Sequence, residues 1–211
     1  LWSQKYREVS ELSKVLGLEV LCMQEAGRWD KEGVTESIAR NNGSRAYVNA
    51  RHRMATPSNQ AGAGEGVVTQ MSQTMSSQVV SKAPDRNGKL LATTMLGGNQ
   101  EGKQRGLALL NVYLPQADPK HNRERDELCG MIQDWVEEMR RKDYMVLVVG
   151  DLNCAMHEGD RRSGMVNAGD EYTRPKIEAW RLTNVWEHMR EQRIQKGGER
   201  TKHLSAHTMH R

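Results

Sequence analysis

Tyr144-Met-Val-Leu-Val-Val-Gly-Asp-Leu-Asn153 decides how the rest of the chain is read. Its first six residues are an unbroken apolar run of strand length, the pattern of a strand buried on both faces. The run leads directly into Gly150-Asp151-Leu152-Asn153, so polar chemistry begins where the strand ends. Gly150 is expected to let the chain turn as it leaves the sheet. Side chains alternate along an extended segment, so Asp151 and Asn153 are expected to point the same way. That sets an acceptor-only carboxylate beside a neutral amide. The carboxylate can orient and deprotonate a water. The amide can hold a phosphate oxygen without adding negative charge.

Upstream, Pro119–Arg141 reads as the longest helix, its apolar face drawn by Leu128, Met131, Ile132, Trp135, Val136 and Met139. Leu107–Leu114 reads as a strand closed by Asn111-Val-Tyr113-Leu-Pro115. Pro115 ends the pairing, and a Tyr at that end can donate its hydroxyl to a phosphate oxygen. Further strands are expected at Val67–Met75 and Leu90–Met95, joined by a turn at Asp85-Arg-Asn-Gly88. Residues 43–66 read mostly as loop, with a short strand near Tyr47. At the start, Tyr6, Val9, Leu12 and Leu16 are spaced as the buried stripe of a helix that Gly17 breaks. A short buried strand, Leu18–Gln24, follows and carries Glu25 at its C-terminal end, where hard divalent cations find oxygen ligands. Residues 30–41 and 172–190 read as further helices. Strands joined in sequence mix with strands joined through helices. The expected class is a layered α+β or α/β domain with polar residues gathered at strand ends.

Composition narrows the classes. The chain has 211 residues, 31 Lys+Arg against 27 Asp+Glu, a net charge of +4 and a hydrophobic share of 36%. That suits one globular domain with a real core. No apolar run nears the roughly 18 residues that span a bilayer. Cys22, Cys129 and Cys154 form no C-x-x-C pair, which points to a reducing, intracellular setting, nucleus or cytoplasm. No signal peptide opens the chain. The opening at Leu1 suggests a fragment or a piece of a longer reading frame. Residues 190–211 hold Arg190, Arg193, Lys196, Arg200, Lys202 and Arg211 against Glu191 and Glu199. Such an end either touches a polyanion or is a solvated tail. His203, His207 and His210 would share a face on a helix but not on a strand, and a surface strand or frayed tail is the expectation. Gly62-Ala-Gly64-Glu-Gly66 precedes a strand instead of following one, which excludes a nucleotide-binding loop.

Taken together and in order, Leu-Cys-Met-Gln-Glu25, Asn-Val-Tyr113-Leu-Pro and Val-Val-Gly-Asp151-Leu-Asn153 resemble the endonuclease/exonuclease/phosphatase superfamily of deoxyribonuclease-I-like proteins. Asp160-Arg161 and Ala179-Trp-Arg-Leu-Thr-Asn-Val-Trp186 resemble its retrotransposon endonuclease branch most, and His207-Thr-Met-His-Arg211 looks like the family's late T-x-x-R region. The resemblance covers nearly the whole chain, read as one domain over residues 1–211. It implies a two-sheet β-sandwich flanked by helices, α+β in class, with the active site at one edge. It implies phosphodiester or phosphomonoester hydrolysis assisted by Mg²⁺ or Mn²⁺. By position Glu25 would be the metal ligand, Tyr113 would contact the scissile phosphate, Asp151 would activate or orient the water, and Asn153 would position the water or the phosphate.

The sequence also departs from the family pattern. The family's first strand, with its Asn, and its C-terminal strands, with an Asp and a terminal Asp-His pair, have no counterpart here. Asn184 stands where the family usually carries Asp. The leading expectation is a divalent-metal-dependent endonuclease domain of retroelement origin, acting on DNA and joined to further domains such as a reverse transcriptase. The alternatives are a catalytically inactive fragment kept for nucleic-acid binding, and a phosphomonoesterase of the same fold. A truncated sandwich would expose sheet edges and be marginally stable or aggregation-prone.

Overall fold

The computed structural model describes residues 2–26, 34–50, 66–97, 99–100, 103–116, 118–157, 160 and 167–195. The chain divides into two units. One comprises Leu1–Leu114 and Val136–Leu152, the other Pro115–Trp135 and Asn153–Arg211.

The first unit contains helices α1 (Trp2–Val15), α2 (Val34–Asn41) and α3 (Gln73–Ser77). Strands β1 (Val20–Met23), β2 (Ser44–Ala50) and β3 (Gly66–Ser72) form an antiparallel sheet in the order β1-β3-β2. Strands β4 (Val79–Pro84), β5 (Leu90–Met95), β8 (Leu107–Tyr113) and β9 (Met145–Asp151) form a second sheet in the order β4-β5-β8-β9. Between β5 and β8 lies the short pair β6 (Asn99–Gln100) and β7 (Lys103–Gln104). The two large sheets meet face to face. Tyr47, Val67 and Met71 of one pack with Leu91, Met95 and Leu109 of the other, and half-buried Cys22, Leu147 and Val149 complete this layer. Beneath the three-stranded sheet, Tyr6 of α1 and Ile38 and Ala39 of α2 pack with Met23, Ala46 and Val68.

Several expectations are corrected. On α1 the buried residues are Tyr6, Ser10 and Ser13, while Leu12 and Leu16 are exposed. The reason is Gln70 on β3, whose side chain accepts from Tyr6 Oη at 2.8 Å and donates to Ser10 Oγ at 3.0 Å and Ser44 Oγ at 2.9 Å. A buried amide demands such partners, so small hydroxyl residues displace apolar ones on the inward face. Gly17 does end the helix. Its φ of 63° and the bonds Leu18 N to Ser13 O and Gly17 N to Lys14 O make a Schellman cap.

The strand expected over Val67–Met75 stops at Ser72, whose hydroxyl caps α3 by accepting from Met75 N. The turn at Asp85–Gly88 therefore joins β5 to β4, a strand the apolar pattern did not reveal because its residues after Val79 are exposed. Near Tyr47 the strand is longer than expected, at seven residues. β8 and β9 are parallel, as a helical crossover requires.

That crossover contains α4 (Asn122–Arg141), which begins in the second unit and ends in the first. Leu128, Ile132, Val136 and Met139 are buried along it, but Met131 is 48% exposed and Cys129 is buried in its place. In the second unit two helices, α5 (Ala168–Ala179) and α6 (Val185–Gln195), replace the one expected over residues 172–190. Arg181 has a φ of 51°, which breaks the helical path after buried Trp180. The chain restarts at Asn184, whose Oδ1 lies 3.5 Å from Glu187 N, the N-cap arrangement. Asn fills that cap as well as Asp does, a physical reason for tolerance at this position. Residues 30–33, Gly62, Gly64, Arg161, Lys196, Arg200, Lys202, His203, His207, His210 and Arg211 lie outside the described residues. Among the described residues no helix is long and apolar enough to cross a membrane.

Candidate active site

Alternation along the strands places the polar residues at one edge of the sandwich. Leu109 on β8 and Leu147 and Val149 on β9 lie in the inter-sheet layer. Counting on by twos brings Asn111 and Tyr113 on β8, and Asp151 on β9, to the same face. The parallel register sets Tyr113 opposite Asp151, and Leu114 N donates to Asp151 O at 2.9 Å. On β1, Cys22 faces the same layer, so the chain leaving Met23 delivers Gln24 and Glu25 to this edge.

Asn111 locks the arrangement. It is fully buried, accepts from Gln24 Nε2 at 2.8 Å, and donates to Val68 O at 2.9 Å and Met23 O at 3.3 Å. It thus ties β8 to both β1 and β3 across the inter-sheet layer. Next to it, Tyr113 Oη donates to Glu25 Oε1 at 2.7 Å. Glu25 has a φ of 57°, a left-handed backbone uncommon for a glutamate, and it is held there as Ala26 N donates to Gly66 O at 2.9 Å. Such strain persists where surrounding structure over-determines it, and it collects at functional sites.

Lys89, only 3% exposed, places its ammonium 5.0 Å from the centre of the Tyr113 ring. Its position follows from the turn before β5. Asp85 Oδ1 accepts from Lys89 N, Leu90 N and Asn49 Nδ2, each at 2.8 Å. A cation over the ring and a carboxylate at the hydroxyl polarise Tyr113 from both ends.

Glu25, Tyr113 and Asp151 therefore gather at one edge of the first unit. Asn153 belongs to the second unit. Its φ is 45°, and β9 ends at Asp151, so the alternation expected to align Asn153 with Asp151 does not extend to it. Buried Arg125 holds this segment. Its guanidinium donates to Asn153 O at 3.4 Å, to Pro115 O, and through Nε to Thr173 Oγ1 at 3.1 Å. Gly150 is likewise corrected. It sits inside β9, where a Cβ would come 1.9 Å from Val112 O, so its role is close strand approach and not a turn.

Sequence reasoning did not assign roles to Asn111, Lys89 or Arg125. The signal for Asn111 was present, since a polar residue at an inward position of an apolar strand needs buried partners. Lys89 and Arg125 gave none, because their partners are distant in sequence.

No family model matches the sequence, and neither does any curated protein. Solved structures do match its fold. The catalytic domain of Xenopus laevis APE2 superposes with a TM-score of 0.63 at 18% identity, covering 82% of this chain and 63% of that one. The AP endonuclease LMAP from Leishmania major gives 0.53 at 16% identity over 85% of this chain and 62% of its own. The 3′-5′ exonuclease NExo from Neisseria meningitidis gives 0.51 at 11% identity over 81% and 66%. The fold is deoxyribonuclease-I-like. These deoxyribonuclease-I-like neighbours are of the endonuclease/exonuclease/phosphatase type, and the chain spans less than two thirds of their length.

Proposed function

We propose that this chain carries the hydrolytic centre of a divalent-metal-dependent phosphodiesterase acting on nucleic acid, of the kind found in retroelement endonucleases. The observation that carries the reading is the Tyr113–Glu25 hydrogen bond at the strand-end edge that also holds Asp151. A carboxylate, a phenol and a second carboxylate at one rim form a hard-oxygen set. Mg²⁺ suits it, since that ion is bound through one or two carboxylates and keeps several waters. Among the described residues no group of three or more His, Cys, Asp and Glu converges, so an all-protein cage is not the basis of the reading.

Exposed Glu25 would hold the ion, which supplies neutralisation of charge on the phosphate oxygens. The chain's own residues do the rest. Tyr113 Oη donates to a non-bridging phosphate oxygen. Asp151 accepts a proton from the attacking water and orients it in line with the leaving oxygen. The resemblance gives Asn153 the role of positioning the phosphate or the water. Supercoiled plasmid incubated with the chain in Mg²⁺ or Mn²⁺ is expected to be nicked, with the activity lost in Glu25→Ala and in Asp151→Ala. Nicking that survives both substitutions would refute the assignment.

A further inference from the structure

A second polar concavity lies in the first unit, away from the strand-end edge. It is an open groove of about 680 Å³ lined by α2, α3 and the edge strands β2 and β4. Arg40 from α2, Arg45 from β2 and Lys82 from β4 all line it. The Arg45 guanidinium lies 6.0 Å and the Lys82 ammonium 5.7 Å from the centre of the Tyr47 ring. Tyr47 is buried, so its ring is a fixed support that holds two cations on the same groove.

Two features mark this cluster. Three cations, Arg40, Arg45 and Lys82, share the groove lining with a single acidic residue, Glu36. Like charges in excess repel, and an anion relieves that. The second feature is a register shift in β4 between Val79 and Ser81, in the groove wall. Bulges re-aim strand side chains and are enriched beside functional surfaces.

We propose that this groove binds the phosphate backbone of a nucleic-acid strand at a site distinct from the strand-end edge. Val79 in its wall pairs with Met95, which pairs with Leu107 at the start of β8. Tyr113 is at the other end of that strand, about 20 Å away at about 3.3 Å per residue. The occupant is read as backbone because Tyr47 is buried and offers no free face for base stacking. Binding is therefore to phosphates and independent of base sequence. The choice of nucleic acid as the polyanion rests on the proposed function; the groove's preference for phosphate does not.

The test is binding of a fluorescent duplex by the full chain in EDTA, over a series of salt concentrations. The triple variant Arg40→Gln/Arg45→Gln/Lys82→Gln is expected to bind at least about tenfold more weakly at low salt. Its log affinity against log salt should be shallower by about 0.9 for each phosphate that is no longer neutralised. Arg40→Lys/Arg45→Lys should keep the slope. A thermal melt of each variant confirms folding, and the single reversal Lys82→Glu gives an independent reading with one exposed side chain changed. Equal affinity and slope in the triple variant would overturn the proposal, as would failure of the unmodified chain to bind duplex. The two readings fail separately. A slope change without plasmid nicking keeps the groove and removes the nuclease. Asp151-dependent nicking with an unchanged slope does the reverse.

Discussion

Tyr113 and Glu25 meet through a 2.7 Å hydrogen bond that joins the last residue of β8 in one sheet to the segment leaving β1 in the other. Both residues are near solvent, so the bond contributes little to stability, but it holds a carboxylate and a phenol together before any substrate arrives. Tyr113→Phe is expected to lower kcat for nicking by about ten- to a hundredfold, the worth of one hydrogen bond to a charged group at about 1.5–3 kcal/mol. Its melting temperature should stay within a few degrees of the unmodified chain. Steady-state kinetics beside a thermal melt checks both halves.

Asn111 should behave in the opposite way. Its amide joins Gln24, Met23 and Val68 in a fully buried setting, so truncation strands several polar atoms at once. Asn111→Ala is expected to cost about 2–4 kcal/mol, read as a lower urea midpoint with an unchanged slope. Asn111→Leu should not rescue it, because Gln24 Nε2 would still lack its acceptor and the link from β8 to β1 and β3 would stay broken.

The contrast between these residues explains what the sequence could tell. Tyr113, Asp151 and Glu25 end short apolar runs, and a run's end is visible in one dimension. The sandwich was legible for the same reason, since Leu107–Tyr113 and Met145–Asp151 alternate or run apolar over strand length. β4 was not legible, because an edge strand facing solvent carries Ser81, Lys82 and Pro84, the residues that blunt an edge. Nor was the split between α5 and α6, which depends on a left-handed Arg181. The orientation expected for Asn153 rested on an alternation that stops two residues too early. Lys89 reaches the site only because Asp85 folds the turn under it.

Gly150 separates the two accounts of a glycine at a strand end. If it only relaxed a turn, Ala would be tolerated at modest cost. In β9 its φ is 144° and an added Cβ would meet Val112 O at 1.9 Å, with no flexible side chain to yield. Gly150→Ala is expected to cost about 3 kcal/mol or more through overpacking and backbone strain. Because Tyr113 is paired with Asp151 through the same ladder, nicking should fall together with the melting temperature.

The second unit carries a pH-dependent interaction. Tyr172 Oη donates to Asp126 Oδ2 at 2.6 Å, and Lys176 Nζ lies 3.1 Å from Asp126 Oδ1. The tyrosine hydrogen bond first, and then the lysine, hold the Asp126 carboxyl below its usual range. A depressed carboxylate contributes stability that is present above its unfolded pKa and is lost as pH falls through the folded value. The group is exposed, so the contribution is below about 1 kcal/mol after screening. Melting temperature followed from about pH 5 down to about pH 3 should therefore fall slightly less steeply in Tyr172→Phe than in the unmodified chain. Equal slopes would remove Tyr172 as the cause.

Glu25 allows the backbone and the carboxylate to be weighed against each other. Its φ of 57° is a conformation that costs an L-residue about 1–2 kcal/mol and glycine almost nothing. Glu25→Ala and Glu25→Gly both remove the carboxylate and the bond from Tyr113, so the difference between them isolates the backbone. In ordinary positions Ala is the more stable choice, because glycine loses more freedom on folding. Here the order should invert, with Glu25→Gly more stable than Glu25→Ala by about 1 kcal/mol in urea unfolding. Neither variant should nick plasmid. A more stable but inactive Glu25→Gly would mean that the left-handed glutamate is kept for its carboxylate at the expense of stability. Ala the more stable of the two would mean that residue 25 relaxes out of this conformation once its carboxylate is gone, so that the Tyr113 bond imposes the strain.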